Sequence, residues 1–178
     1  MSKVYFISDV HFGHRNICTY RTHFESAEAH DEFIFENIMK VASKRNVLWM
    51  LGDMFFDVAV VEKYGRPIAE AFMQTNFIIG NHDTDNAHRQ ESVRKAISLF
   101  DSVHTLHSKY GYWLSHAPIH PAELRRKTLN IHGHVHFQSI REEDGSIDER
   151  YFNACCENIN YSPVSLQDIT KGYRGEIT

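Results

Sequence analysis

Phe77-Ile78-Ile79-Gly80-Asn81-His82-Asp83 is an apolar run that stops at a glycine and then delivers three polar side chains in a row. The run reads as a buried strand. Gly80 lets the backbone turn sharply, and the amide, imidazole and carboxyl groups that follow can all bind metal or handle protons. Open α/β sheets place their chemistry at such strand ends. Gly-Asn also marks ordinary turns, so the stretch takes its meaning from what other strand ends supply.

Upstream, Val4 to Ile7 reads as a first strand, with Asp9 and His11 just past its end. Phe12 to Thr22 reads as loop. From Ala27 to Ser43, Phe33, Ile34, Ile38, Met39 and Val41 fall at helical spacing, with acids early and lysine late, as the helix dipole favours. Asn46 to Leu51 is a second strand ending in Gly52-Asp53. Val58 to Gln74 reads as mostly helical, interrupted near Gly65-Arg66-Pro67. Asn76 to Ile79 is the third strand, and His88 to Phe100 is a helix with Val93, Ala96, Ile97 and Phe100 on one face. This alternation predicts right-handed βαβ units around a mostly parallel sheet.

Downstream the pattern changes. Ser102 to Leu106, Tyr112 to Ser115, Thr128 to His132 and Phe137 to Arg141 are short strand-like runs. Glu143-Asp144-Gly145-Ser146 reads as a hairpin turn, with Tyr151 to Cys155 as the return strand. A second sheet packed on the first, with helices outside, fits this shift. No repeat, low-complexity tract or linker divides the chain, so a single domain over residues 1–178 is expected.

The 178 residues are enough for one well-buried domain. Net charge is −4, which argues against duplex DNA as a partner. No apolar run approaches the ~20 residues of a membrane span, and the short apolar stretch at the N-terminus meets Asp9 too soon for a signal peptide. A cytoplasmic protein with no membrane association is expected. Cys18, Cys155 and Cys156 are odd in number and form no CxxC, which suits reduced thiols. The chain has 13 His, several closely spaced, and that clustering points to metal.

The candidate ligands are Asp9 and His11, Asp53, Asn81, His116 before Pro118, and the His134/His136 pair after Gly133. Each has a plain alternative. An Asp-x-His triplet arises by chance, Gly-Asp marks turns, His116 and His132 could be satisfied core residues, and His134 and His136 could lie on a surface. Together, five strand-like runs end in ligand-capable groups: two Asp, one Asn and four His. Such a set without thiolate suits Mn, Fe, Zn, Ni or Mg. Seven ligands suit two ions sharing one carboxylate, a device for phosphoryl chemistry.

In order and spacing these motifs resemble the calcineurin-like metallophosphoesterase superfamily: D-x-H at Asp9-Val10-His11, G-D at Gly52-Asp53, G-N-H-D at Gly80 to Asp83, a lone His116, and G-H-x-H at Gly133 to His136. The resemblance implies an α/β fold, a four-layer α/β/β/α sandwich of two mixed β-sheets flanked by helices. It implies two divalent ions, manganese favoured, one held by Asp9, His11, Asp53 and His136, the other by Asp53, Asn81, His116 and His134. His82 would stabilise charge or protonate the leaving oxygen, with Asp83 orienting it. Phe12-Gly13-His14-Arg15-Asn16 also looks like a small single-domain bacterial and phage branch. There His14, Arg15 and Asn16 would lie at the site rim, or else merely cap the next helix. The residues after Gly52-Asp53 lack the Arg-Gly pair of protein Ser/Thr phosphatases, and the chain has no room for the capping domain of the repair nucleases.

The expected activity is hydrolysis of small or nucleotide phosphodiesters by a metal-bridging hydroxide. A phosphomonoesterase is the runner-up, and a catalytically silent scaffold is a third reading. His120 and the trio Arg125, Arg126 and Lys127 could meet substrate, though such a trio is more often a solvated helical face. Phe55, Phe56, Tyr110, Tyr112 and Trp113 could stack on bases or serve the core. Oligomeric state and the role of Cys155-Cys156 stay open.

Overall fold

The computed structural model describes residues 2–173. Two mixed sheets lie against each other with helices flanking them, an α/β architecture of the expected kind. The first sheet is built from β1 (Val4–Ile7), β2 (Val47–Met50), β3 (Gln74–Ile78), β4 (Ser102–His104) and, at the far edge, β9 (Val164–Ser165). Its order is β4-β3-β2-β1-β9, with β1 to β4 mutually parallel and β9 antiparallel to β1. The second holds β5 (Leu106–Lys109), β6 (Tyr112–Ser115), β7 (Asn130–His132) and β8 (Tyr151–Asn153) in sequence order. There β5 and β6 form a hairpin, while β6, β7 and β8 run parallel.

The strands of the first sheet are apolar on both faces, and residue parity sends them to two cores. Tyr5, Ile7, Leu48, Met50 and Phe77 pack with the helices, among them Ile34 and Ile38 of α1 (Ala27–Lys40) and Val93 and Ala96 of α4 (Ala87–Leu99). Phe6, Val47, Trp49 and Ile78 face the other way and meet Leu114 and Ile131 of the second sheet. Both long helices are capped by side chains: Ser26 Oγ accepts from Ala29 N–H, and Asn86 Oδ1 from Arg89 N–H.

Three expectations need correction. The region after Val58 is not interrupted at Pro67. A short α2 (Val58–Val60) runs through a π-helical turn, Val61–Gly65, into α3 (Arg66–Ala71), where Pro67 sits in the first turn and its missing N–H costs nothing. Ser102 to Leu106 is not one strand: the chain ends β4 at His104, leaves the first sheet at Thr105 and enters the second as β5. Phe137 to Arg141 is not a strand of a hairpin. The turn at 143–146 closes, with Glu142 N–H donating to Ser146 O, but only an isolated bridge between Arg141 and Ile147 flanks it. Tyr151 to Asn153 instead pairs parallel to β7. Smaller still, Phe12 to Thr22 contains one 3-10 turn, Ile17–Thr19.

Parallel strands carry all their C-terminal ends to one edge. Here β1, β2 and β3 in one sheet and β6, β7 and β8 in the other end side by side. Past β1 and β8 the two sheets are joined by backbone: Ser8 N–H donates to Ala154 O (2.9 Å), and Cys156 N–H donates to Ser8 O (3.1 Å). Six loops therefore open onto one place. Among the described residues, no helix is long and apolar enough to cross a membrane.

Candidate metal centre

Each ligand candidate follows a strand end at this junction, and several approach closely enough to require glycine. A Cβ on Gly80 would overlap the Asp53 carboxylate, and one on Gly133 would overlap Ser8 Oγ and Asp9 Oδ2. Gly52 has φ 95°, and its Cβ would lie 2.8 Å from the Gly80 Cα. The candidate ligands themselves take up unusual backbone. Asp9, His11, Asp53, His134 and His136 all have φ between 48° and 73°, the left-handed region that Asp and His tolerate better than most residues.

One group of donor atoms gathers Asp53, Asn81, His116 and His134. Asn81 Oδ1 lies 2.9 Å from His116 Nε2 and 2.8 Å from His134 Nδ1. His134 Nδ1 and His116 Nε2 are 3.2 Å apart, and Asp53 Oδ2 is 3.3 Å from His116 Nε2. Donors bound to one ion at about 2.1 Å stand about 3.0–3.5 Å from each other, so the spacing fits a shared cation. His116 is oriented from behind, because its Nδ1 donates to Leu51 O at 2.9 Å and leaves Nε2 free to face the other donors.

A second group gathers Asp9, His11 and His136, whose nearest donor atoms lie 3.8 Å (His11 Nε2 to Asp9 Oδ1) and 3.9 Å (His136 Nε2 to Asp9 Oδ1) apart. Asp9 and Asp53 also share a cluster with His116, which brings the two groups together. Asp9 Oδ2 is held by His134 N–H (2.8 Å) and the Cys155 thiol (3.2 Å). Asp9 Oδ1 and His11 Nε2 are buried and have no hydrogen-bond partner. Buried polar atoms are nearly always satisfied, and two orphans side by side are what removal of a cation would leave. Carboxylate, amide and imidazole donors suit a divalent metal of borderline or hard character.

The electrostatics agree. Burial opposes the Asp9 charge, but His11 and His116 outweigh it and hold the carboxyl well below its usual range. Burial likewise opposes charge on His116, yet Asp53 beside it pushes the imidazole up to about 9. The pair calls for positive charge at the point where the donors converge.

Searched against known families, the chain matches calcineurin-like phosphoesterases over residues 2–164. It belongs to that family. Like others in the family, it is read as a metal-dependent phosphoesterase with a phosphoester substrate. It is 30% identical over 173 residues to an uncharacterized protein, MJ1445, of Methanocaldococcus jannaschii, covering 96% of this chain and 91% of that one. Its fold is similar to the crystal structure of a protein of unknown function, AQ665, from Aquifex aeolicus. The TM-score is 0.71 at 29% identity, over 96% of this chain and 99% of the other.

Within this family site, the structure departs from the expected partner of His82. Asp83 does not orient the imidazole. It is buried, and its carboxylate accepts the backbone N–H of Gly80 (2.7 Å), Asp53 (3.0 Å) and Met54 (3.3 Å). Burial and the neighbouring Asp53 push it up to about 7. Asp83 thus ties the β3 loop to the β2 loop. His82 Nδ1 meets Asp85 Oδ2 instead, at 2.5 Å, with both side chains half exposed. His82 N–H donates to Asp53 Oδ1 (2.9 Å), so backbone, not ring, attaches this residue to the ligand set.

Other site expectations divide. His14 stands beside the centre, 5.9 Å from the His11 ring and 4.9 Å from Phe56, and Arg15 and Asn16 line an adjoining cavity. His120 is exposed and caps α5 (Pro121–Leu124), its Nδ1 accepting from Ala122 N–H. No contact among the described residues brings it to the centre. Arg125 and Arg126 lie in the turn after α5 and are not on a helical face, and Arg125 pairs with Glu123. Phe55 is a core residue stacked with Phe12 and Phe100.

Sequence reasoning missed the support behind the second group. His136 Nδ1 meets Glu157 Oε1 at 3.0 Å. Glu157 in turn accepts from Arg21, which is 2% exposed and also donates to the carbonyls of Asp9 (2.6 Å) and Val10 (3.0 Å). One buried ion pair therefore fixes the backbone under Asp9 and the ring of His136 together. Burial opposes the Glu157 charge, but His136 and Arg21 outweigh it and bring the carboxyl down to about 2. Glu157 follows β8 as the candidate ligands follow their strands, and that placement was a usable signal. Cys155, left without a role by the sequence, is the thiol that holds Asp9.

Proposed function

We propose that this protein is a dinuclear-metal phosphodiesterase for small phosphodiesters, nucleotides among them. The observation that supports this reading is the convergence of Asp53, Asn81, His116 and His134 beside the orphaned Asp9 Oδ1 and His11 Nε2. Two divalent ions held there, manganese favoured, would neutralise phosphoryl oxygens and lower the pKa of a water toward ~7. Asp9, His11, Asp53 and His136 would hold one, and Asp53, Asn81, His116 and His134 the other.

The chain's own groups do the rest. The substrate phosphate is positioned where both groups of donors open to solvent, on the side of the exposed Asn81 and His134. One water adds to phosphorus, one phosphorus–oxygen ester bond breaks, and an alcohol and a phosphomonoester result. His82, its Nδ1 fixed by Asp85, offers Nε2 to protonate the departing alkoxide. A cavity of about 440 Å³ beside His82 and His136 is walled by Ile17, Tyr20 and Phe137. An apolar wall next to the phosphate favours a second ester group over a bare phosphoryl oxygen, hence a diester. The chain is proposed to act as one domain in the cytoplasm.

With manganese supplied, bis-p-nitrophenyl phosphate is expected to be turned over with higher kcat/KM than p-nitrophenyl phosphate. A clear monoester preference would replace the diesterase reading with a phosphomonoesterase. No hydrolysis of either would leave the scaffold reading.

A further inference from the structure

A second cavity, of about 290 Å³, adjoins the metal centre and shares His14 with the first. Phe56 separates it from the metal ligands, its ring 4.8 Å from that of His11. The Arg89 guanidinium lies over Phe56, its Cζ 3.2 Å from the ring centroid. Arg89 Nη1 is shielded from solvent and has no hydrogen-bond partner, and the same holds for His14 Nδ1. Among the described residues Arg89 forms no ion pair with a carboxylate. The acid that lines the cavity, Asp57, is already engaged by His88 (3.2 Å) and by Ala59 N–H (2.7 Å). Exposed Arg15 adds another cation on the same wall.

A shielded guanidinium nitrogen without an acceptor is costly, although Arg89 as a whole is only partly buried. Stacking on an aromatic face offsets part of that cost and fixes the plane of the fork, but it supplies no acceptor. His14, Arg15 and Arg89 line one small cavity, and guanidinium and imidazole groups gathered there fit the tetrahedral oxygens of a phosphate. We propose that this cavity is a subsite for a second, terminal phosphate, so that the substrate is a phosphodiester carrying another phosphate a few bonds from the scissile one. The proposal rests on the phosphodiesterase reading and deepens it. It places the extra substrate contact not at the Arg125–Lys127 trio but on the loop after β1 and the first turn of α4.

Two chromogenic diesters that differ only in this group decide the matter: thymidine 5′-(p-nitrophenyl phosphate) and its 3′-phosphorylated form. The manganese-loaded protein is expected to favour the 3′-phosphorylated ester by roughly tenfold or more in kcat/KM, mainly through KM. Arg89→Ala should bring the ratio to about one, and Arg89→Lys should keep part of it, with circular dichroism reporting that both variants fold. A wild-type ratio near one, or a ratio that survives Arg89→Ala, overturns the subsite. A second readout needs no turnover: inorganic phosphate titrated against the His14 imidazole resonances. Saturable shifts that Arg89→Ala abolishes support the subsite, and shifts reproduced by chloride at equal ionic strength overturn it. Saturable phosphate shifts with neither ester hydrolysed would keep the subsite and sink the phosphodiesterase reading.

Discussion

Asn81, His82, Asp83 and Asp85 lie within five residues and divide the labour by the direction each side chain takes. Asn81 Oδ1 joins the donor cluster, so Asn81→Ala should cost one of the two proposed ions, counted by elemental analysis after dialysis at limiting metal. His82→Ala should retain both ions and lower kcat by roughly 10²–10⁴. The two aspartates should separate by readout. Asp83→Asn places an amide N–H₂ among backbone N–H donors that now meet a carboxylate, so it should destabilise the fold by about 1–3 kcal/mol in denaturant melts. Asp85→Asn, half exposed, should leave stability within about 0.5 kcal/mol and lower kcat. Equal stability losses from both would contradict this division. The family resemblance pointed to Asp83, but the turn after Asn81, which could not be read from the sequence, swings Asp83 inward and brings the residue three on from His82 beside its ring.

Among the elements, the loops after β1 and β8 are coupled by Arg21 and Glu157, which are 136 positions apart. Supports of this kind typically change metal affinity 10–100-fold when removed. Glu157→Gln should weaken one ion by that order, measured by calorimetric titration, while the other binds as before. Unchanged affinity for both would reduce the ion pair to a packing feature. The strands that carry ligands were legible because each is an apolar run punctuated by glycine or a polar group. The passage from β4 to β5 was not, because Thr105 gives no turn signal where the chain changes sheets. Phe137 to Arg141 is short, with apolar residues only at 137 and 140, and its expected partner, Tyr151 to Asn153, pairs parallel to β7 instead, leaving the Arg141–Ile147 bridge alone beside the turn. Pattern reports what a segment could do, and pairing depends on what the partner strand meets. Arg21 was invisible for a related reason: nothing local shows that a charged residue on a loop will be buried under a motif from another.

For the molecule as a whole, the candidate ligands come from both sheets, Asp9, His11, Asp53 and Asn81 from one, and His116, His134 and His136 from the other. A bound ion would therefore add a cross-link between halves that already meet through the apolar core, backbone bonds and side-chain contacts such as Arg21–Glu157 and Cys155–Asp9. Chelation should lower the melting temperature by several degrees, since a ligand present at a hundred times its Kd contributes about 2.7 kcal/mol. An unchanged melting curve would mean that the junction is held without metal. The left-handed backbone at five of the ligands adds a consequence on another timescale. Each such residue stores about 1 kcal/mol or more that glycine would release. A lineage that no longer needed the centre would gain stability by drifting away from these side chains, and the ratchet would turn one way. Keeping all five is thus a standing cost in stability, one that a bound metal ion would offset.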